Sequence, residues 1–168
     1  MSGDLRILGI DPGSRITGYG IVEITGALTR PVAWGGIATS GEHSDRLKQI
    51  YFGVADLVVE YQPDEIAIER VFVHKNADSA LKLGQARAAA ICATFQRQMP
   101  IHEYAARNVK KALTGSGSAE KGQVEMMVKI LLGLRDRMKS DAADALAVAI
   151  CHAHSRMLRD YLPKAGSA

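Results

Sequence analysis

The sequence predicts an α/β fold: a mixed sheet, three antiparallel strands followed by parallel ones, flanked by helices. Three observations carry this. The first third consists of short apolar runs joined by tight turns. From residue 44 on, apolar residues recur at helical spacing between further short strands. The chain has 168 residues, 47% hydrophobic and 23% charged, which is enough for one domain with a sizeable core and too apolar for disorder.

Leu5 to Asp11 is a short apolar run closed by Pro12-Gly13. Tyr19 to Ile24 and Val32 to Ala38 follow, separated by Thr25-Gly26 and Arg30-Pro31. Connections this short make neighbouring strands antiparallel. Leu47, Ile50, Tyr51, Val54, Leu57, Val58 and Tyr61 then form a helical stripe, with Ser44 as cap and Pro63 as stop. Glu65 to Val71 is a strand rich in Ile and Val, Ala77 to Gln98 a long Ala-rich helix, and Ile101 to Tyr104 a strand. Helices are predicted over Ala106 to Leu113, Ala119 to Leu132 and Asp141 to Asp160. Strands joined through helices return parallel, and ligands of such sheets gather beyond the carboxyl ends of the parallel strands. No repeat or linker divides the chain, so residues 1–168 are expected to form one domain, ordered over about 5–158, with short flexible tails.

Several classes are excluded. The longest apolar run, Ala145 to Cys151, is far short of the roughly 20 residues that cross a bilayer. Met1-Ser2-Gly3-Asp4 does not open a secretory signal. Cys92 and Cys151 form no Cys-x-x-Cys, so a disulfide scaffold is not expected and a reducing cytoplasm is the simplest setting. Net charge is +3, unevenly spread. Residues 70–121 hold nine Lys/Arg against three acids, net +6, and the remainder holds 12 against 15, net −3. A basic middle on an acidic frame points to a polyanionic partner, although a solvated surface accounts for the charges equally well.

Four carboxylates stand where they could meet. Asp11 ends the first strand, and Glu69 lies near the end of the fourth. If those strands are adjacent and parallel, both acids emerge at one edge of the sheet. Asp141 and Asp144, three residues apart, share one face of a helix start. Alone, Asp11 is ordinary turn chemistry and the Asp141/Asp144 pair ordinary helix capping. The alanines at 142, 143 and 145 argue for more, because a helix start of small residues can approach a sheet closely. Four converging carboxylates cannot stay ionised without cations. Hard oxygen donors favour Mg²⁺, with Mn²⁺ as substitute. Two such ions, typically about 3.5–4 Å apart, form an arrangement that hydrolyses phosphodiesters, one activating the attacking water and the other stabilising the leaving oxygen. His152 and His154, two apart on a helix, fall on different faces and share no metal; surface or packing roles suit them. Met126 and Met127 read as core.

Two basic elements accompany the acids. Lys110, Lys111 and Lys121 bracket Thr114-Gly115-Ser116-Gly117-Ser118. The amides of this loop and a helix start near Ser118 suit a phosphate, and the lysines suit a nucleic-acid backbone. A plain linker with a Ser cap is the alternative. Phe72 lies among Arg70, His74 and Lys75, where an aromatic can stack on an unpaired base or simply pack in the core.

Five segments carry a resemblance: Leu8-Gly9-Ile10-Asp11-Pro12-Gly13, Thr17-Gly18-Tyr19-Gly20, Ala67-Ile68-Glu69-Arg70-Val71-Phe72, the run Lys75 to Arg87, and Asp141-Ala142-Ala143-Asp144-Ala145-Leu146. In this order they resemble the RuvC family of Holliday junction resolvases, the crossover junction endodeoxyribonucleases, over roughly Leu5 to His154. The resemblance implies a ribonuclease-H-like fold in a homodimer that binds four-way DNA junctions and nicks two strands of like polarity symmetrically, in recombination and repair. It implies that Asp11, Glu69, Asp141 and Asp144 bind two Mg²⁺ and are catalytic. It further implies that Phe72 stacks on a base, that Lys75 belongs to the DNA-contacting stretch, that Lys110 and Lys121 act near the scissile phosphate, and that the RuvAB branch-migration complex is a partner. Arg70 departs from the family's more usual uncharged or acidic residue and bears on DNA contact rather than on metal binding. Lys121 is the candidate to stabilise developing charge or protonate the leaving group. Two-fold junction symmetry independently asks for a C₂ pair of sites, for which the small residues Ala86, Ala89, Ala90 and Ala93 offer an interface, plain packing of this helix on the sheet being the equal alternative.

Three alternatives remain at this point. Asp11-Pro12-Gly13 with Gly18 and Gly20 also suits the phosphate loop of actin-like phosphotransferases, which need two such domains. A non-catalytic junction-binding protein would not need all four acids. A nuclease of the same fold with another substrate is separated least by sequence.

Overall fold

The structure, a computed structural model, describes residues 4–71 and 76–161. Its strands are β1 (Leu5–Asp11), β2 (Ile16–Thr25), β3 (Leu28–Ala38), β4 (Glu65–Glu69) and β5 (Ile101–Tyr104). Its helices are α1 (His43–Tyr61), α2 (Ala77–Cys92), α3 (Ala106–Thr114), α4 (Lys121–Leu132) and α5 (Ser140–Tyr161). The sheet order is β3-β2-β1-β4-β5. The β1–β2 and β2–β3 pairs are antiparallel, and β1–β4 and β4–β5 are parallel. This is the mixed sheet expected from the connection lengths.

Each strand alternates between two cores. Leu8, Ile10, Ile66 and Ile68 face α1 and α2, where Ile50, Val54, Val58, Ala86 and Ala90 close the layer. Ile7 and Ala67 face the other side, covered by α3, α4 and α5 through Val109, Val124, Val128, Leu146 and Ile150. The two-residue period of a strand therefore puts Asp11, in step with Ile7, and Glu69, in step with Ala67, on the α5 side.

Several element ends differ from the sequence expectation. β2 begins at Ile16 and β3 at Leu28, with Pro31 inside β3. The proline is tolerated because β3 is an edge strand. α1 starts at His43 after Glu42, so Ser44 lies within the helix. α2 stops at Cys92 and runs into a 3₁₀ turn, Ala93–Gln96, instead of continuing to Gln98. α4 starts at Lys121, where Glu120 and Gln123 form a reciprocal capping box that displaces Ser118 as the cap. Met127 packs against the core, but Met126 is exposed.

One polar cluster interrupts the apolar packing of α5 on the sheet. His152 is fully buried. Its Nε2 lies 2.6 Å from Glu65 Oε2 and its Nδ1 2.6 Å from the Tyr104 hydroxyl. Arg156 donates to the other Glu65 oxygen. The His102 ring stacks on His152 with centroids 4.2 Å apart. Burial pushes the His152 pKa down, against the Glu65 hydrogen bond. Among the described residues no helix is long and apolar enough to cross a membrane.

Candidate active site

The register of two strands and the height of one helix bring Glu69, Asp141 and Asp144 within electrostatic reach of Asp11. Ile10 pairs with Ile68 in the parallel β1–β4 ladder, so Asp11 and Glu69, one residue further on, leave adjacent strands side by side. α5 lies directly on β1 and β2 because glycines face it. A Cβ at Gly18 would fall 2.0 Å from the Asp141 carbonyl oxygen, and one at Gly9 would fall 2.2 Å from that of Ala145. Gly18 is also the cross-strand partner of Asp11. The missing side chain at Gly18 thus seats Asp141 above the strand pair that carries Asp11. α5 already begins at Ser140, so Asp141 and Asp144 stand within its first turns rather than at the cap. Thr17, fully buried, donates its hydroxyl to the Gly13 carbonyl at 2.9 Å and ties down the loop after Asp11.

The cluster carries excess negative charge. Burial, then the carboxylates of Glu69, Asp144 and Asp141, push the Asp11 pKa up to about 7 against the pull of Lys121. Glu69 is also raised, by burial and then by Asp144, with Lys121 and Lys110 opposing. Lys121 Nζ lies 2.8 Å from Asp144 Oδ2, and this hydrogen bond raises the lysine's own pKa. Lys121 is the first residue of α4, where a cation opposes the helix dipole; the acids opposite compensate. A cleft of about 200 Å³ opens between α3, α4 and α5, lined by Glu69, Lys110, Lys121 and Asp144 among others.

An all-oxygen donor set in which burial and neighbouring carboxylates raise Asp11 and Glu69 is what a hard divalent cation fits. Asp11, Glu69, Asp141 and Asp144 are the residues that would hold it.

Lys110 and Lys121 both reach this cleft. Phe72 and Lys75 lie outside the described residues. The Gly/Ser loop is not the amide cradle expected from sequence. The amides of Gly115, Ser116, Ser118 and Ala119 bond to Lys111 O, Thr114 Oγ1, Ser116 Oγ and Ser116 O respectively, so these donors are spent inside the loop. Arg70 faces Glu103, its Nε 3.4 Å from Oε2. Arg87 was not singled out by sequence. It donates to the Glu69 carbonyl at 3.3 Å and to Glu103 at 2.7 Å, bracing the end of β4. Its place in the basic run was visible; its backbone target was not.

The family of crossover junction endodeoxyribonuclease RuvC matches residues 7–152. A relative of that name from Methylococcus capsulatus is 57% identical over 152 residues, 90% of this chain and 92% of its own. Among solved structures, Thermus thermophilus RuvC superposes with a TM-score of 0.83 at 33% identity, over 92% of this chain and 97% of that one. The same protein in complex with Holliday junction substrate gives 0.86 at 33% identity, over 92% and 96%.

Proposed function

Because the chain belongs to the RuvC family of crossover junction endodeoxyribonucleases, we propose that it resolves four-way DNA junctions by paired symmetric nicks. The observation that carries this reading is the cluster of four acids at the ends of β1 and β4 and the start of α5, with the Asp11 pKa pushed up to about 7 by burial and then by its neighbours. A family nuclease uses divalent metal. Two Mg²⁺ ions, replaceable by Mn²⁺, are the natural occupants of this donor set. When bound, they supply Lewis-acid polarisation of the scissile phosphate and a more acidic water.

The chain's own residues do the rest. Asp11 and Glu69 are fixed by strand register, and Asp141 and Asp144 by the seating of α5, so the site is ordered before substrate arrives. Lys121, its side chain 62% exposed, reaches out of the cluster toward a phosphate. Asp144 raises its pKa, which suits Lys121 to stabilising developing charge as a fixed cation rather than to giving up a proton. Lys110 lines the same cleft and adds backbone attraction. On the resemblance, Phe72 stacks on an unpaired base and Lys75 contacts the backbone beside it.

A two-fold junction calls for two sites, and α2 is the element we assign to the homodimer contact. Ala86, Ala90 and Ala93, expected from sequence to form that contact, are instead buried in the chain's own core with Ala89 packed against them, so the contact falls to the opposite face, an apolar groove lined by Ala77, Ala80, Leu81, Gly84, Gln85 and Ala88. RuvAB is the expected branch-migration partner. The whole span of 1–168 serves as one nuclease domain. The free cysteines, Cys92 exposed and Cys151 buried, suit a cytoplasmic setting.

The test compares a mobile four-way junction, a linear duplex and an RNA–DNA hybrid, each with Mg²⁺ and with EDTA. Paired nicking of the junction alone, only with Mg²⁺, is the expected result. Equal cleavage of the hybrid would point to another nuclease of this fold, and ATP binding without nicking to a phosphotransferase.

A further inference from the structure

The Glu65 cluster lies at the opposite end of β4 from Glu69 and takes no part in the nuclease site. We infer that Glu65, His102 and His152 form a second metal site, for one transition-metal ion of the zinc type, which fastens α5 to β4 and β5.

Donor geometry is the first support. One donor atom from each of the three residues lies within 4.8 Å of the other two. Glu65 Oε2 is 2.6 Å from His152 Nε2 and 3.9 Å from His102 Nε2. Metal–ligand bonds of 2.0–2.2 Å place tetrahedral donors about 3.4 Å apart, so the two Glu65 spacings need to change by less than about 1 Å. Two imidazoles and a carboxylate are the borderline donors that select zinc over magnesium.

The surrounding contacts support it independently. Metal-bound histidines have the second ring nitrogen hydrogen-bonded, and bound carboxylates are likewise held by outer partners. Here the Tyr104 hydroxyl lies 2.6 Å from His152 Nδ1, and Arg156 holds Glu65 Oε1. In the metal-free network His152 Nε2–H donates to Glu65 and Nδ1 accepts from Tyr104. Loading a metal moves the ring proton to Nδ1, which then donates to the Tyr104 oxygen. A hydroxyl serves in either role, so His152 Nδ1 keeps its partner in both states. A Glu65–Arg156 pair alone requires neither histidine. The stacked His102 ring, 25° from coplanar with His152, brings a second Nε2 toward the same carboxylate oxygen. His102 is 28% exposed while His152 is fully buried, which leaves a path for the ion and a position for water as fourth ligand.

The test uses full-length protein carrying Asp11→Asn and Cys92→Ala, which weaken the acid cluster as a metal site and remove the exposed thiol. After dialysis against chelator, the protein is titrated with ZnCl₂ and, separately, CoCl₂. One Zn²⁺ per chain, a rise in unfolding midpoint on loading, and the strong visible absorption of four-coordinate Co²⁺ are expected. His102→Phe, at a partly exposed position, should abolish all three while the metal-free unfolding midpoint stays near that of the parent. Glu65→Gln should do the same to metal binding. Tyr104→Phe should weaken binding about 10- to 100-fold. Absence of Zn²⁺ binding in the parent, or unchanged affinity in His102→Phe, would overturn the assignment. If Glu65→Gln does not fold, His102→Phe decides.

Discussion

The two ends of β4 carry polar clusters of opposite character, built from the same strand and the same helix. At its carboxyl end Glu69 joins Asp11, Asp141 and Asp144, with Lys121 paired to Asp144, and burial together with the neighbouring carboxylates pushes the Asp11 pKa up to about 7. At its amino end Glu65 is matched by His152 and Arg156, and His152 in turn by Tyr104, and among the described residues no buried side-chain polar atom lacks a partner. One end is electrostatically frustrated and fits a hard cation and phosphate. The other is satisfied and holds helix to sheet. Both ends bury polar groups; at the carboxyl end uncompensated like charges add to burial in raising Asp11.

The contrast can be broken from the acidic side first. Asp11→Asn should lower junction cleavage by roughly 10³-fold or more, the loss of several kcal/mol of charge stabilisation. Junction affinity in a filter-binding or anisotropy assay should stay within about two-fold. A parallel loss of binding with the fold intact would count against the separation of catalysis from binding. Lys121→Ala should reduce single-turnover cleavage by about 10²- to 10³-fold, as removal of one preorganised charge does elsewhere. An activity loss rescued simply by raising enzyme concentration would instead make it a binding residue. On the satisfied side, Glu65→Ala leaves a buried imidazole donor unpaired. It should cost about 2 kcal/mol, or a midpoint lower by about 4–8 °C, with cleavage changed only a few-fold. A further effect is in pH. The folded-state pKa of Asp11 lies above its unfolded value of 3.8, so its contribution to stability is full below that value and is lost as pH rises through about 7. Metal-free protein should therefore melt lower at pH 7.5 than at pH 5. Asp11→Asn should flatten this slope, and Mg²⁺ should reverse it. A flat profile in the parent would mean that the carboxylates are not coupled.

The strand–helix order and the mixed sheet were legible because period-two and period-3.6 patterns alternate cleanly along the chain. The side-by-side exit of Asp11 and Glu69 was legible because each sits at the end of a strand whose direction the connection lengths dictate. Helix starts were less so. Ser44 and Ser118 are better caps by composition than Glu42 and Glu120, but the Glu120–Gln123 reciprocal bonds and the packing of α1 decided otherwise. The end of α2 was hidden because nothing before Pro100 breaks the helical pattern, yet the chain turns at Ala93 to deliver β5. The Glu65 network was not legible at all. Glu65 and His152 are 87 residues apart, and His152 on its own reads as surface or packing. Only the register of β4 against β5 and the rotation of α5 unite them.

The absent side chain at Gly18 has a further consequence. A methyl group there would act as a wedge beneath the leading edge of α5, prising Asp141 off the strand pair that bears Asp11. The calibration of the cutting centre thus depends on an atom that does not exist, at a residue with no chemistry of its own. Gly18→Ala should disable the nuclease while every ligand, lysine and basic surface is still present.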